Sequence, residues 1–155
     1  MLQVLLLRTQ QLANHLFSWY FAPNFRCLIS LLINSEAKSN IENWEKNTKK
    51  NDDLQVVESV TGGLEASKLT FKYIVQNPQE LTKQNEFLYK DLPNMVKLTD
   101  KFLEMKKQSL HSDEISRDLD ETLLLIKTLA ERISKNYHEI LMDDVNVIKH
   151  EVKFD

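Results

Sequence analysis

The string Asp118-Leu119-Asp120-Glu121-Thr122 has the residue types of a D-x-D-x-T phosphoryl-transfer motif. In that chemistry the first aspartate attacks phosphorus and the second acts as a general acid. Both side chains must then converge on one phosphate and its magnesium, from a loop that follows a buried strand. Here Glu114-Ile115-Ser116-Arg117 precedes the string, and Leu119 falls on an apolar stripe. On a helix, residues two apart point about 200° away from each other. The two carboxylates should therefore diverge, and a solvated helix face is the expectation.

The other reactive residues are no better placed. A cysteine-phosphatase loop starting at Cys27 would need arginine where Ile33 stands. His138-Glu139 opens like a zinc-protease helix, but Met142 occupies the place of the second histidine. His111 lies beside Asp113 and Glu114 and reads as a turn residue. Glu139 and Asp143-Asp144 could face one cation from successive turns, but a solvated or interhelical polar position is the default, with Asp144 able to set helix register. Gly62-Gly63 lacks the longer glycine pattern and the Lys and Ser or Thr of a phosphate loop. No catalytic, cofactor-binding or metal-ligating residue is assigned, and no cofactor is implied.

The elements that must carry these residues are helices. The 155-residue chain has only 2 Gly and 3 Pro, so the tight turns of sheets and hairpins are nearly absent. Leu, Lys and Glu, good helix formers, are abundant. An all-α fold follows. The net charge of -3 argues against nucleic acid as a partner, because that affinity rests on neutralising phosphates. The single cysteine allows no intrachain disulfide, which fits a reducing, cytoplasmic setting. The start lacks the basic segment and cleavage site of a secretory signal.

Charge divides the chain. Residues 1–34 carry only Arg8 and Arg26 as formal charges and are crowded with Leu, Phe, Trp and Tyr. Polar side chains at Gln10, Gln11, Asn14 and His15, and the break at Pro23, spoil a membrane span. An amphipathic segment on a membrane surface, or a helix packed on the rest of the chain, suits this region better. Residues 35–63 read as a polar helical connector, with Ile41 and Trp44 as its large anchors. Asn51 caps a helix start, and Gly62-Gly63 marks a break, a kink or a close helix contact.

Residues 64–155 form the main helical domain. Asn77-Pro78-Gln79-Glu80 has the residues of a capped helix start. Leu81, Leu88, Met95 and Phe102 then recur at intervals of seven, and Pro93 predicts a kink near Leu92. Ser112 or Asp113 caps the last helix. There Leu119, Ile126, Ile133, Ile140 and Val147 recur every seven residues, with Leu123, Ala130 and Tyr137 between them. Such spacing is a coiled-coil signal. At Asp144 the stripe shifts to Leu141, Val145, Ile148 and Val152, as a stutter would produce. The expected architecture is a long antiparallel helical hairpin or small bundle with coiled-coil-like packing. Its last helix outruns its neighbour and needs a further partner, either residues 1–34 or a second chain.

Three segments point to a family. Lys72-Tyr73-Ile74-Val75-Gln76-Asn77-Pro78, Glu86 to Pro93, and Val96 to Leu103, with the close Leu119-Asp120-Glu121-Thr122 and Leu141-Met142-Asp143-Asp144-Val145, together resemble XpaC-like proteins, the bromochloroindolyl phosphate hydrolysis family. The resemblance covers residues 64 to 152. It implies a bacterial, intracellular helical protein associated with membranes and with toxic-anion (tellurite) resistance proteins of the TelA type. It supplies no catalytic residues to carry over. Many relatives have clear hydrophobic spans ahead of the helical part, and residues 1–34 are shorter and more polar than two spans require.

Two readings follow. The first is a non-enzymatic accessory or scaffold protein that acts through a TelA-like partner or self-association, with membrane contact through residues 1–34. The alternative is a phosphate-ester hydrolase acting on chromogenic phosphomonoesters, motivated by the family's description alone.

Overall fold

The structure, a computed structural model, describes residues 23–108 and 112–153. The chain divides into two units, Met1–Glu36 and Ala37–Asp155. Among the described residues every regular element is helical: α1 (Pro23–Thr48), α2 (Asp52–Thr61), α3 (Gly63–Gln76), a 3₁₀ turn (Pro78–Thr82), a π turn (Phe87–Asp91), α4 (Leu92–Lys107) and α5 (Asp113–Val152). The fold is all-α, with several helices packed together.

The expectation of a cytoplasmic chain held to a membrane through residues 1–34 is corrected here. Among the described residues no helix is long and apolar enough to cross a membrane. Residues 23–34 are helical. They are the first turns of α1, which runs on through Glu36, Lys38, Glu42 and Glu45. Residues 1–22 lie outside the described residues.

Within the second unit, α1 buries Ala37, Ile41 and Trp44, one residue per turn on a single face. Asn47 continues that face and is itself buried. Its side-chain amide donates to Thr99 Oγ1 at 3.0 Å and to Asp100 Oδ1 at 2.7 Å, tying α1 to α4. Lys106 of α4 reaches Asp53 of α2 at 2.8 Å, and Lys68 of α3 reaches Glu45 of α1 at 3.3 Å. The Lys49 and Lys68 ammonium groups hold the Glu45 carboxyl below the usual range.

The Asn51 expectation holds. Its side-chain oxygen accepts from the N–H groups of Asp53 and Leu54 and caps α2. Gly62 then ends α2 in the left-handed region, at φ 62°, and its N–H donates to Glu58 O at 2.8 Å. The Glu58 carboxylate turns back over the junction and accepts from the N–H groups of Leu64 and Glu65. One side chain thus caps the start of α3, where the positive end of the helix dipole favours an anion.

Gly63 fulfils the expected close contact. A Cβ placed there would lie 2.7 Å from Ala130 Cβ and 2.9 Å from Ala130 O. The α3 backbone therefore rests directly on α5, and Ala130 is fully buried. Ser134, one turn further along α5, donates to Thr61 O at 2.6 Å. Helices α2, α3 and α4 all pack on α5. Leu54, Ile74, Leu92, Met95 and Phe102 are buried with Ile126, Ile133 and Ile140 of α5. Ser112 caps α5 by accepting from Ile115 N–H.

Two local expectations change. Asn77 caps no α-helix start. Its side-chain amide and its backbone N–H both donate to Tyr73 O, so it closes the end of α3, and the chain continues as a 3₁₀ turn. The predicted kink at Pro93 is a π turn one step upstream. Proline has no N–H to give the preceding turn. The helix widens before it, and Leu92 N–H donates to Phe87 O, five residues back. This extra residue keeps Leu88, Met95 and Phe102 on the buried side.

Gly63→Ala should cost about 2–3 kcal/mol of stability through overpacking against backbone. Gly62→Ala has open space around it and should cost about 1 kcal/mol from its positive φ alone. Gly62→Asn should cost less than Gly62→Ala. Urea unfolding followed by circular dichroism checks this order.

Candidate functional site

Two regions of the second unit could do work: a polar cleft beside the π turn, and the far end of α5. The cleft, about 250 Å³, opens between the π turn and α5. At its base lies Asp91, a charged side chain only 6% exposed. Asp91 follows Leu88 by three residues and precedes Met95 by four, so the buried stripe carries it inward. Arg132, one turn along α5 from the buried Leu129, donates to its carboxylate. Asn136, a further turn on, donates to Gln84 Oε1 at 2.8 Å. Burial pushes the Asp91 carboxyl above the usual carboxylate range, and the Arg132 guanidinium opposes that shift.

This cleft is poorly built for phosphate esters. Three cations border it, and each faces an acid: Arg132 with Asp91, Lys135 with Glu139 at 3.7 Å, and Lys83 with Glu80 at 2.8 Å. No surplus positive charge remains to hold a phosphoryl group, and no Ser, Cys or His lines the wall as a nucleophile. The geometry is that of a helix-docking ion pair. It ties the π turn to α5.

The acidic candidates also stay apart. Asp118 and Asp120 lie in the unbroken helix α5, both exposed, with no strand or loop beneath them. Thr122, the motif's last residue, donates to Asp118 O within the same helix. His138, Glu139, Asp143 and Asp144 are all exposed on α5. Among the described residues no three His, Cys, Asp or Glu side chains are grouped as a metal site would require. His111 lies outside the described residues, as does the side chain of Cys27.

The far end of α5 is the other unusual region. The helix has 40 residues, about 60 Å at 1.5 Å per residue. Its core contacts end at Ile140, and every residue from 141 to 153 is exposed. Leu141, Val145, Ile148 and Val152 repeat at steps of four, three and four along this stretch, and Ile148 is 57% and Val152 70% exposed. The shift of stripe at Asp144 is present in the sequence, and among the described residues the shifted positions stay exposed, from 39% at Val145 to 70% at Val152.

This sequence of helices, capped at Asn51, broken at Gly62-Gly63 and closed by the long α5, falls within a known family. Residues 33–155 match the 5-bromo-4-chloroindolyl phosphate hydrolysis protein family. The chain belongs to that family. The match extends well before the 64–152 span of the resemblance and takes in the end of α1 and all of α2. The helices that pack on α5 are therefore family structure. No curated protein and no solved structure matches the chain.

Sequence reasoning missed the Asp91–Arg132 pair. The one available signal was an acid on the Leu88–Met95 face, for which only a long-range cation could compensate.

Arg132→Ala should cost about 2 kcal/mol at neutral pH by leaving a buried carboxylate unpaired. The folded pKa of Asp91 is raised, so the folded state binds the extra proton and stability should recover as pH falls toward that pKa. The loss in Arg132→Ala should thus shrink on going from neutral to mildly acidic buffer. Asp91→Asn in the same background should remove that pH dependence. Urea midpoints measured at both pH values test this.

Proposed function

We propose that this family member is a non-enzymatic helical scaffold that engages partner helices through the exposed end of α5. One observation carries the reading: α5 continues past its own core for three turns with a regular apolar stripe exposed among the described residues. Exposed apolar rows of this kind mark interaction surfaces. The charged groups near the core, Asp91 with Arg132, are by contrast already matched to one another.

In this reading α4 and α5 form an antiparallel hairpin with coiled-coil-like packing, and the unpaired part of α5 extends the same kind of seam to another chain. Residues 64–155 act as the working helical domain, 35–63 as a connector and 1–34 as an accessory apolar segment. The resemblance set out above suggests a toxic-anion resistance protein of the TelA type as one partner. The hydrolysis in the family's description is then an indirect consequence of the scaffold's presence.

Co-expression with a TelA-type protein and affinity capture should recover a complex. The double substitution Leu141→Lys, Ile148→Lys should abolish capture while leaving stability within about 0.5 kcal/mol, as for exposed positions. Purified chain should show no turnover of bromochloroindolyl phosphate above the blank. Turnover that co-purifies at constant specific activity, and is lost in Asp118→Asn or Asp120→Asn, would reverse the assignment in favour of the hydrolase.

A further inference from the structure

The stripe on the far end of α5 has a register, and the register names its occupant. Leu141 and Ile148 are seven apart, as are Val145 and Val152, and the two pairs interleave at four and three. In heptad terms Val145 and Val152 stand at a, and Leu141 and Ile148 at d. In parallel coiled coils Val at a with Leu at d favours two strands, the pattern met at Leu141, Val145 and Val152, with Ile148 the departure from it. The flanking positions are then Asp144 and Glu151 at g, and Met142 and Lys149 at e.

In a parallel pair each g residue meets the e residue five positions further along the other helix. Asp144 of one copy meets Lys149 of the other, and the symmetry gives the contact twice. In an antiparallel pair g faces g, which sets Asp144 against Glu151, like charge against like. Neither Asp144 nor Lys149 has an ion-pair partner among the described residues, and both are exposed.

The core does not compete for this face. Successive helix residues turn by about 100°, so the stripe begun at Leu141 lies roughly a quarter turn from the Ile126, Ile133 and Ile140 line. One helix can thus serve its own bundle and a second copy at once. The helix is also already formed when the copies meet, so the nucleation cost that defeats short isolated helices falls away.

We infer that the chain self-associates as a parallel pair along residues 141–152, with reciprocal Asp144–Lys149 ion pairs fixing direction and register. The inference rests on the scaffold reading above and specifies its partner as a second copy. Three turns give a smaller interface than the roughly 1,200 Å² at which stable complexes begin, so the pairing is weak and concentration-dependent.

The test uses the full chain in sedimentation equilibrium, loaded over two decades around roughly 50 μM. The mass should rise from 18.2 kDa toward twice that value. Ile148→Lys should hold it at the monomer. Asp144→Lys and Lys149→Asp should each weaken pairing about tenfold, and the two together should restore it. With Cys27→Ser in place, Leu141→Cys should form a disulfide between equal positions, which the antiparallel arrangement would hold about 20 Å apart.

A monomer at every concentration overturns the inference. So does pairing indifferent to Ile148→Lys, a double swap that fails to restore, or a Leu141→Cys variant that will not oxidise while dimer is present. If the chain is monomeric but Ile148→Lys still abolishes capture of a TelA-type partner, self-pairing fails and the scaffold reading stands.

Discussion

Everything in the second unit depends on how closely α3 can approach α5. At Gly63 and Ala130 the two helices touch backbone to side chain, with no room for even a methyl group on the α3 side. That approach fixes the depth at which α3 packs on α5. It also brings the α2–α3 junction within reach of Ser134. The two glycines have separate roles. Gly62 supplies a positive φ that turns the chain, and Gly63 supplies the absence of a side chain. Glu58 then satisfies the N–H groups that the turn exposes.

Much of this was legible in the sequence because helices obey simple periodicities. The sevenfold repeats through Leu88, Met95, Phe102, Ile126, Ile133 and Ile140 identify residues that are buried. Asn51 and Ser112 announce helix starts because their side chains can accept from free N–H groups just downstream. The glycine pair announces a break. Asn77 misled because the same amide can serve the helix behind it, and local pattern does not say which. Pro93 signalled a disturbance, but the form it took depended on keeping Leu88 and Met95 on one face, a tertiary demand. The Asp91–Arg132 pair joins residues 41 positions apart, and spacing within one helix carries no trace of it.

A D-x-D-x-T string is informative only with its strand and loop, and in α5 it becomes two outward carboxylates on a continuous helix. The charged groups that do lie near the core neutralise each other. Asp91 shows why. A buried carboxylate is costly unless matched, and the cation that matches it is thereby unavailable to a substrate. Burial and pairing here serve docking of the π turn. The surface with unmet demand is apolar and lies beyond Ile140.

The central position of α5 also sets an order of events on the ribosome. Helices α2, α3 and α4 each find their main packing surface on α5, yet all three leave the exit tunnel before it. Until Ala130 and Ile133 emerge, Leu54, Ile74 and Phe102 have no surface to bury against. A nascent chain stopped before residue 126 lacks the α5 face on which these helices pack. Folding of this unit is therefore completed only once α5 has emerged and gathers the other helices around it.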